Sequence, residues 1–186
     1  MLGAGPVGLL GAMALAANGF KTFLYSRELP TGPQAVFARA IGATYVSSQT
    51  QTPEQLAERI GNIDLVYEAT GAAKISFQMM EVLGTNGVFV FTGIPGRKHL
   101  IEIDAERIMR NLVLKNQIVY GTVNAGPQAF EAAIADLGTF MQRWPEAVRS
   151  LITGRYPIEH ARELLLDPPR GMKNVITVSE ARWPVA

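Results

Sequence analysis

Gly3-Ala4-Gly5-Pro6-Val7-Gly8 opens the chain, with Leu9 and Leu10 directly behind it. In a G-x-G-x-x-G run the first two glycines permit a tight turn and close approach of a pyrophosphate. The third lets the following helix pack against the sheet. Free N–H groups at the helix start then hold phosphate oxygens. Such a run normally follows a complete β-strand. Only Met1 and Leu2 precede it here, so most of the first strand is absent and the chain reads as a dinucleotide-binding domain cut from a longer protein.

Met1 to Phe20 carries no charge, a profile shared by signal peptides and membrane spans. A signal peptide wants a basic leading region, and the first cation is Lys21. A span wants about 20 bulky apolar residues, whereas this stretch holds five glycines and Asn18. Asn18-Gly19 instead reads as the end of a helix, because both residues tolerate the left-handed backbone that terminates one. A nucleotide-binding turn followed by a buried helix is the better reading.

Composition narrows the function classes. A length of 186 residues fits one domain, or one domain plus part of another, and 48% hydrophobic content supports a substantial core. The net charge of +1 and the lack of a basic run give no support to nucleic acid or a membrane surface as partner. No cysteine occurs, which excludes disulfides and thiolate metal sites and fits a cytoplasmic chain. His99 and His160 are far apart, without metal-ligand spacing, and read as ordinary surface histidines; no metal site is expected. No G-x-S-x-G elbow offers a serine nucleophile.

Further along, β-prone runs alternate with helical ones. Strands are expected at Thr22 to Tyr25, Thr44 to Val46, Ile63 to Ala69, Val88 to Phe91 and Gln117 to Tyr120, with helices between them at 31–40, 52–60, 73–83 and 105–114. Thr52-Pro53-Glu54-Gln55 is a capping box with proline at the first helical position. This alternation implies parallel strands joined by right-handed crossovers, an α/β, doubly wound Rossmann sheet with a truncated first strand. Ligands of such sheets lie beyond the carboxyl ends of the strands. The candidate site residues are therefore Gly3 to Gly8, Ser26-Arg27, Ala69-Thr70-Gly71, Thr92-Gly93-Ile94 and Thr122-Val123-Asn124. From Gly126 the texture changes to a long helix (Pro127 to Arg143), then Leu151 to Thr153, a helix at Glu159 to Leu166 and a last strand at Asn174 to Val178, an α/β return segment.

Three stretches carry a resemblance: Leu2 to Leu10, Asp64-Leu-Val-Tyr-Glu-Ala-Thr-Gly71 and Gly121-Thr-Val-Asn-Ala125. On these the chain resembles the C-terminal half of a medium-chain dehydrogenase/reductase, and within that family it is most similar to the glucose 1-dehydrogenases. The resemblance implies an NAD(P)-binding domain over residues 1–122 and a segment, 123–186, that packs on a catalytic domain absent here. It implies that the Val7 and Gly8 amides meet the pyrophosphate of the nicotinamide dinucleotide, Gly3 and Gly5 shape the turn, and Pro6 has no N–H to give. Ala69 and Thr70 are then on the adenosine-ribose side and Thr92, Gly93 and Ile94 on the nicotinamide side. Thr122, Val123 and Asn124 close over the nicotinamide, with Asn124 also reaching towards a sugar or alcohol substrate. In such enzymes a zinc ion polarises the substrate hydroxyl. Its ligands belong to the catalytic domain, so this chain alone is expected to hold no catalytic residue and to turn nothing over.

The place of the acidic residue that would repel a 2′-phosphate is taken by Ser26, followed by Arg27, which favours NADP over NAD. Rival readings are an alcohol or quinone reductase of the same family, a non-catalytic dinucleotide-binding module, and a methyltransferase. The last is disfavoured because it too would need an acidic grip on ribose at that place. The apolar strand at Gln117 to Tyr120 should be outermost, its free edge a template for pairing, so a homo-oligomer is expected.

Overall fold

The computed structural model describes residues 1–96, 100–167 and 169–179; His99 lies outside the described residues. The chain starts at the middle of its sheet. Met1 to Gly3 lead into α1 (Pro6–Ala17), then β1 (Phe23–Ser26), α2 (Pro33–Ala40) and β2 (Thr44–Ser47) run outward on one side. The helix α3 (Pro53–Ile60) crosses back, and β3 (Leu65–Glu68), α4 (Ala73–Glu81), β4 (Val88–Phe91), α5 (Ala105–Leu114) and β5 (Ile118–Gly121) run outward on the other.

Every pairing is parallel: β1 with β2, β3 with β4, and β4 with β5. Among the described residues Leu2 joins the halves, bridging Tyr25 and Glu68. The order across the sheet is therefore β2-β1-Leu2-β3-β4-β5. This is the expected doubly wound Rossmann sheet, its first strand reduced to a single bridging residue and β5 at one edge.

Local chemistry sets the element ends. Thr52 accepts the Gln55 N–H while Gln55 reaches back to the Thr52 N–H, the capping box read from sequence, and Gly61 at φ 84° ends that helix. Asp104 caps α5 by accepting from the Arg107 N–H at 2.9 Å. Two apolar clusters cover the two faces of the sheet, and alternation along β1 divides them. Leu24 joins Leu9, Met13 and Phe37 under α1 and α2. Tyr25 joins Leu2, Val66, Met79 and Phe89 under α3, α4 and α5.

The tail continues as α6 (Pro127–Arg143), α7 (Pro145–Leu151), β6 (Ile152–Pro157), a 3-10 turn (Ile158–His160), α8 (Ala161–Leu166) and β7 (Lys173–Thr177). The helix α7 was not expected from sequence, although Pro145 at its first position is the signal that announces it. The expected helix from Glu159 splits into the 3-10 turn and α8, and the last strand begins one residue earlier than read. Phe140, Ala147 and Leu151 enter the α1 cluster, and the Arg143 guanidinium donates to the Ala17 carbonyl at 2.9 Å. His160 is exposed beside Glu163.

Where Leu2 enters the sheet, the Met1 amine is buried and donates to the Phe23 carbonyl at 2.9 Å.

Candidate functional site

Four of the five candidate segments gather directly at the carboxyl ends of Leu2, β1, β3 and β4, and the fifth follows β5. At their centre is the glycine turn. Gly3 has φ 105°, a conformation that side chains rarely take, and a Cβ there would lie 2.7 Å from Thr70 Cγ2. A Cβ on Gly8 would come 2.1 Å from the Gly3 carbonyl oxygen, so the third glycine is fixed by packing of α1 on its own turn.

Gly5 differs from both. Its backbone is extended (φ −75°), as any residue allows, and a Cβ there would meet nothing within 4 Å. Neither conformation nor packing asks for glycine. The remaining physical reason is room for a ligand brought close to the backbone. Gly5 is also the N-cap of α1 without a capping side chain, and no acidic residue occupies the first turn. The amides of Val7 and Gly8 thus open on a positive helix end.

The strand-end loops after β3 and β4 are tied by a residue not singled out from sequence. Glu68 is 1% exposed. Its carboxylate accepts from the Thr70 N–H at 2.6 Å, the Thr70 hydroxyl at 2.5 Å, the Gly71 N–H at 2.9 Å and the Gly93 N–H at 3.1 Å. The Thr92 hydroxyl donates to the Glu68 carbonyl at 2.7 Å. A carboxylate with this many donors replaces its lost hydration, so its burial is tolerated. The available signal was an acidic residue ending the apolar run Leu65-Val66-Tyr67, where only a fully partnered carboxylate is tolerable.

Past β1, the Ser26 hydroxyl donates to the Glu28 carboxylate. Arg27 is exposed. The Tyr45 hydroxyl donates to the Glu28 carbonyl at 2.9 Å. Burial raises the Tyr45 pKa, a hydrogen bond with Ser26 opposes that, and the Glu28 charge adds to it. Thr122, Val123, Asn124 and Ile94 are exposed. Ala69 and Gly71 are half-buried beside the turn. Among the described residues, no three His, Cys, Asp or Glu side chains converge on a point that could hold a metal.

A family model described as the glucose dehydrogenase C-terminus matches residues 1–178. The chain belongs to that family. Its relatives include the glucose 1-dehydrogenase of Methanocella arvoryzae, 28% identical over 95% of this chain and 49% of the relative. The glucose 1-dehydrogenase of Thermoproteus tenax is 32% identical over 96% of this chain and 49% of the relative. The chain thus spans about half the length of the curated relatives it matches. Among solved structures, the glucose dehydrogenase of Haloferax mediterranei superposes with a TM-score of 0.82 at 28% identity, over 96% of this chain and 50% of that one. That enzyme has been solved with NADP, zinc and gluconolactone.

In this member of the glucose dehydrogenase C-terminal family, Glu68 is the joint between two strand ends. Glu68→Gln puts an NH2 group where the carboxylate faces N–H donors. It should cost about 1–3 kcal/mol of stability, read by urea denaturation. An unchanged midpoint would show that water takes over as acceptor.

Proposed function

We propose that this chain is the nucleotide-binding part of a zinc-dependent NAD(P) oxidoreductase that oxidises an aldose such as glucose at C1 to a lactone, with NADP preferred. The observation that carries the reading is Gly5, a glycine required by neither its backbone angles nor its neighbours, at an uncapped helix start on the switch point of a parallel sheet. The family match and the NADP and gluconolactone held by the Haloferax enzyme support it.

On this reading the Val7 and Gly8 amides hold the pyrophosphate, while Gly3 and Gly5 keep the turn tight and open. Ala69 and Thr70 line the adenosine-ribose side, and Thr92 to Ile94 the nicotinamide side. Thr122 to Asn124 close over it, Asn124 reaching towards substrate. Ser26 and Arg27 receive the 2′-phosphate, for which Ser26 must exchange its Glu28 partner. When bound, the dinucleotide supplies a hydride acceptor; the residues here bind and orient it. The described residues do not fit zinc, so the metal is assigned to a catalytic domain outside them, on which residues 123–186 pack while 1–122 bind the nucleotide. No helix among the described residues is long and apolar enough to cross a membrane, and the cysteine-free composition suits a reducing cytoplasm.

Assembly as a homo-oligomer is part of the proposal. Ile118 and Tyr120 on the edge strand β5 are 59% and 49% exposed, with neither charge nor proline to blunt the edge. Val119 is half-buried against the core, so the informative substitution is Ile118→Lys. It should shift a dimer towards monomer in light scattering. A wild-type monomer at micromolar concentration would contradict the edge contact.

Calorimetric titration tests the cofactor reading. Gly5→Ala should change stability by no more than about 1 kcal/mol, because losing a glycine N-cap offsets the entropy removed from the unfolded chain. It should weaken NADP at least about tenfold, roughly 1.4 kcal/mol. Arg27→Ala should cost about 1–3 kcal/mol of NADP affinity and leave NAD nearly unaffected. Equal affinities of the wild-type chain for NAD and NADP would remove the preference, and an innocuous Gly5→Ala would remove the cradle.

A further inference from the structure

Glu68 brings a charge to the site as well as a fastening, and among the described residues that charge has no counter-ion. Its carboxylate is 1% exposed, and every hydrogen bond it accepts comes from a neutral donor on Thr70, Gly71 or Gly93. Lys74, the nearest cation in sequence, is exposed near the start of α4. Neutral donors replace the hydration of a carboxylate but do not cancel its unit charge. The start of α4 opposes it with the partial charge of a helix end, roughly half an elementary charge spread over several amides. The carboxylate prevails.

The two loops that Glu68 fastens also touch each other. A Cβ on Gly93 would lie 2.1 Å from the Gly71 nitrogen and 2.6 Å from the Glu68 Oε2. One on Gly71, at φ 62°, would lie 2.5 Å from the Ile94 carbonyl oxygen. Backbone therefore closes over the carboxylate, with no room for a side chain between the loops. A charge covered by backbone is screened less than one covered by water, so its field reaches further. That field emerges at the outward faces of Thr70-Gly71 and Gly93-Ile94, where Thr70 and Ile94 are exposed. On the cofactor reading, these faces line the ribose and the nicotinamide. The two forms of the cofactor differ there by one charge: the oxidised ring is a cation and the reduced ring is neutral.

The geometry points to Glu68 as the residue that sets the preference of this site between oxidised and reduced dinucleotide. Its buried negative charge holds NADP+ and adds nothing to the hold on NADPH. The inference rests on the cofactor reading and deepens it. A site biased in this way keeps the hydride acceptor in the form that an oxidation needs. It also loosens its grip once the ring charge is gone, which favours release of the reduced cofactor. Glu68 acts through Thr70, Gly71 and Gly93, so it is a positioning residue and not a catalytic one.

The test titrates the 186-residue chain with NADP+, NADPH and 2′-phospho-ADP-ribose, which lacks the nicotinamide. Glu68→Gln removes the charge and nearly keeps the shape. It should weaken NADP+ at least about fivefold more than NADPH. Glu68→Asp keeps the charge and shortens its reach, so it should weaken both forms alike and leave their ratio at the wild-type value. Glu68→Ser leaves room for water to accept the N–H bonds. It is a second neutral variant, should the amide not be tolerated, and should shift the ratio as Glu68→Gln does. 2′-Phospho-ADP-ribose has no ring charge, and its losses should follow those of NADPH. Equal losses of NADP+ and NADPH in the neutral variants would make Glu68 a joint only, overturning the proposal and leaving the cofactor reading intact. A wild-type chain that binds none of the three would overturn the cofactor reading, and the proposal with it.

Discussion

The main sheet is continuous only because Met1, Leu2 and Gly3 hydrogen-bond to β1 on one side and β3 on the other. Both apolar clusters depend on that junction. Leu2 is 2% exposed and belongs to the cluster under α3 to α5, while Met1 joins the cluster under α1 and α2. The same few residues aim the turn that begins at Gly3. Since Gly3 N–H donates to the Tyr25 carbonyl at 2.8 Å, the turn departs from the sheet at a height set by the ladder. The position of the candidate phosphate cradle is thus a consequence of strand pairing, not of loop preference.

A second constraint fixes the loops opposite that turn. Loops at strand ends tend to be mobile, because few apolar contacts hold them. Glu68 answers this with charge-assisted hydrogen bonds to Thr70, Gly71 and Gly93. Its buried carboxylate puts negative charge behind the backbone of both loops while leaving their outward faces free. Thr70 relays the restraint, its hydroxyl also accepting the Ala72 N–H at 2.9 Å as α4 begins. Preorganisation of this kind lowers the ordering cost that a ligand would otherwise meet.

Much of this was legible in the sequence, and the limits have physical causes. The glycine run, the capping box at Thr52 and the apolar run Val88 to Phe91 each state a local rule that tertiary contacts merely confirm. Strand alternation then gives the sheet and its carboxyl-end site. Glu68 escaped because an acidic residue in a strand reads as polar surface unless its partners are known, and Gly93 lies 25 residues away. The Ser26–Glu28 contact is not legible in the sequence, since a hydroxyl's partner is a matter of rotamer. The helix α7 went unread although Pro145 opens it, and Trp144, packed on Phe140, joins it directly to α6.

The surface of α6 carries the argument one step further. Phe130, Ile134, Leu137 and Met141 recur at helical spacing and are 63%, 71%, 42% and 42% exposed, whereas Phe140 is 3% exposed. The helix is therefore anchored by its C-terminal turn, through Phe140 and the Arg143 bond to Ala17, and presents an apolar stripe over the rest of its length. A stripe at this period is the face a helix buries, not the one it gives to water. It begins just after Thr122 to Asn124, the segment proposed to close over the nicotinamide, where Val123 is itself 74% exposed. On the proposed reading, one further protein surface would cover both the stripe and the substrate side of the site. Cofactor binding needs only the sheet and its turn, but excluding water from a hydride transfer needs that cover. On that reading the two halves of the chemistry are separate, the nucleotide held by this chain's backbone and the substrate enclosed by whatever packs on α6.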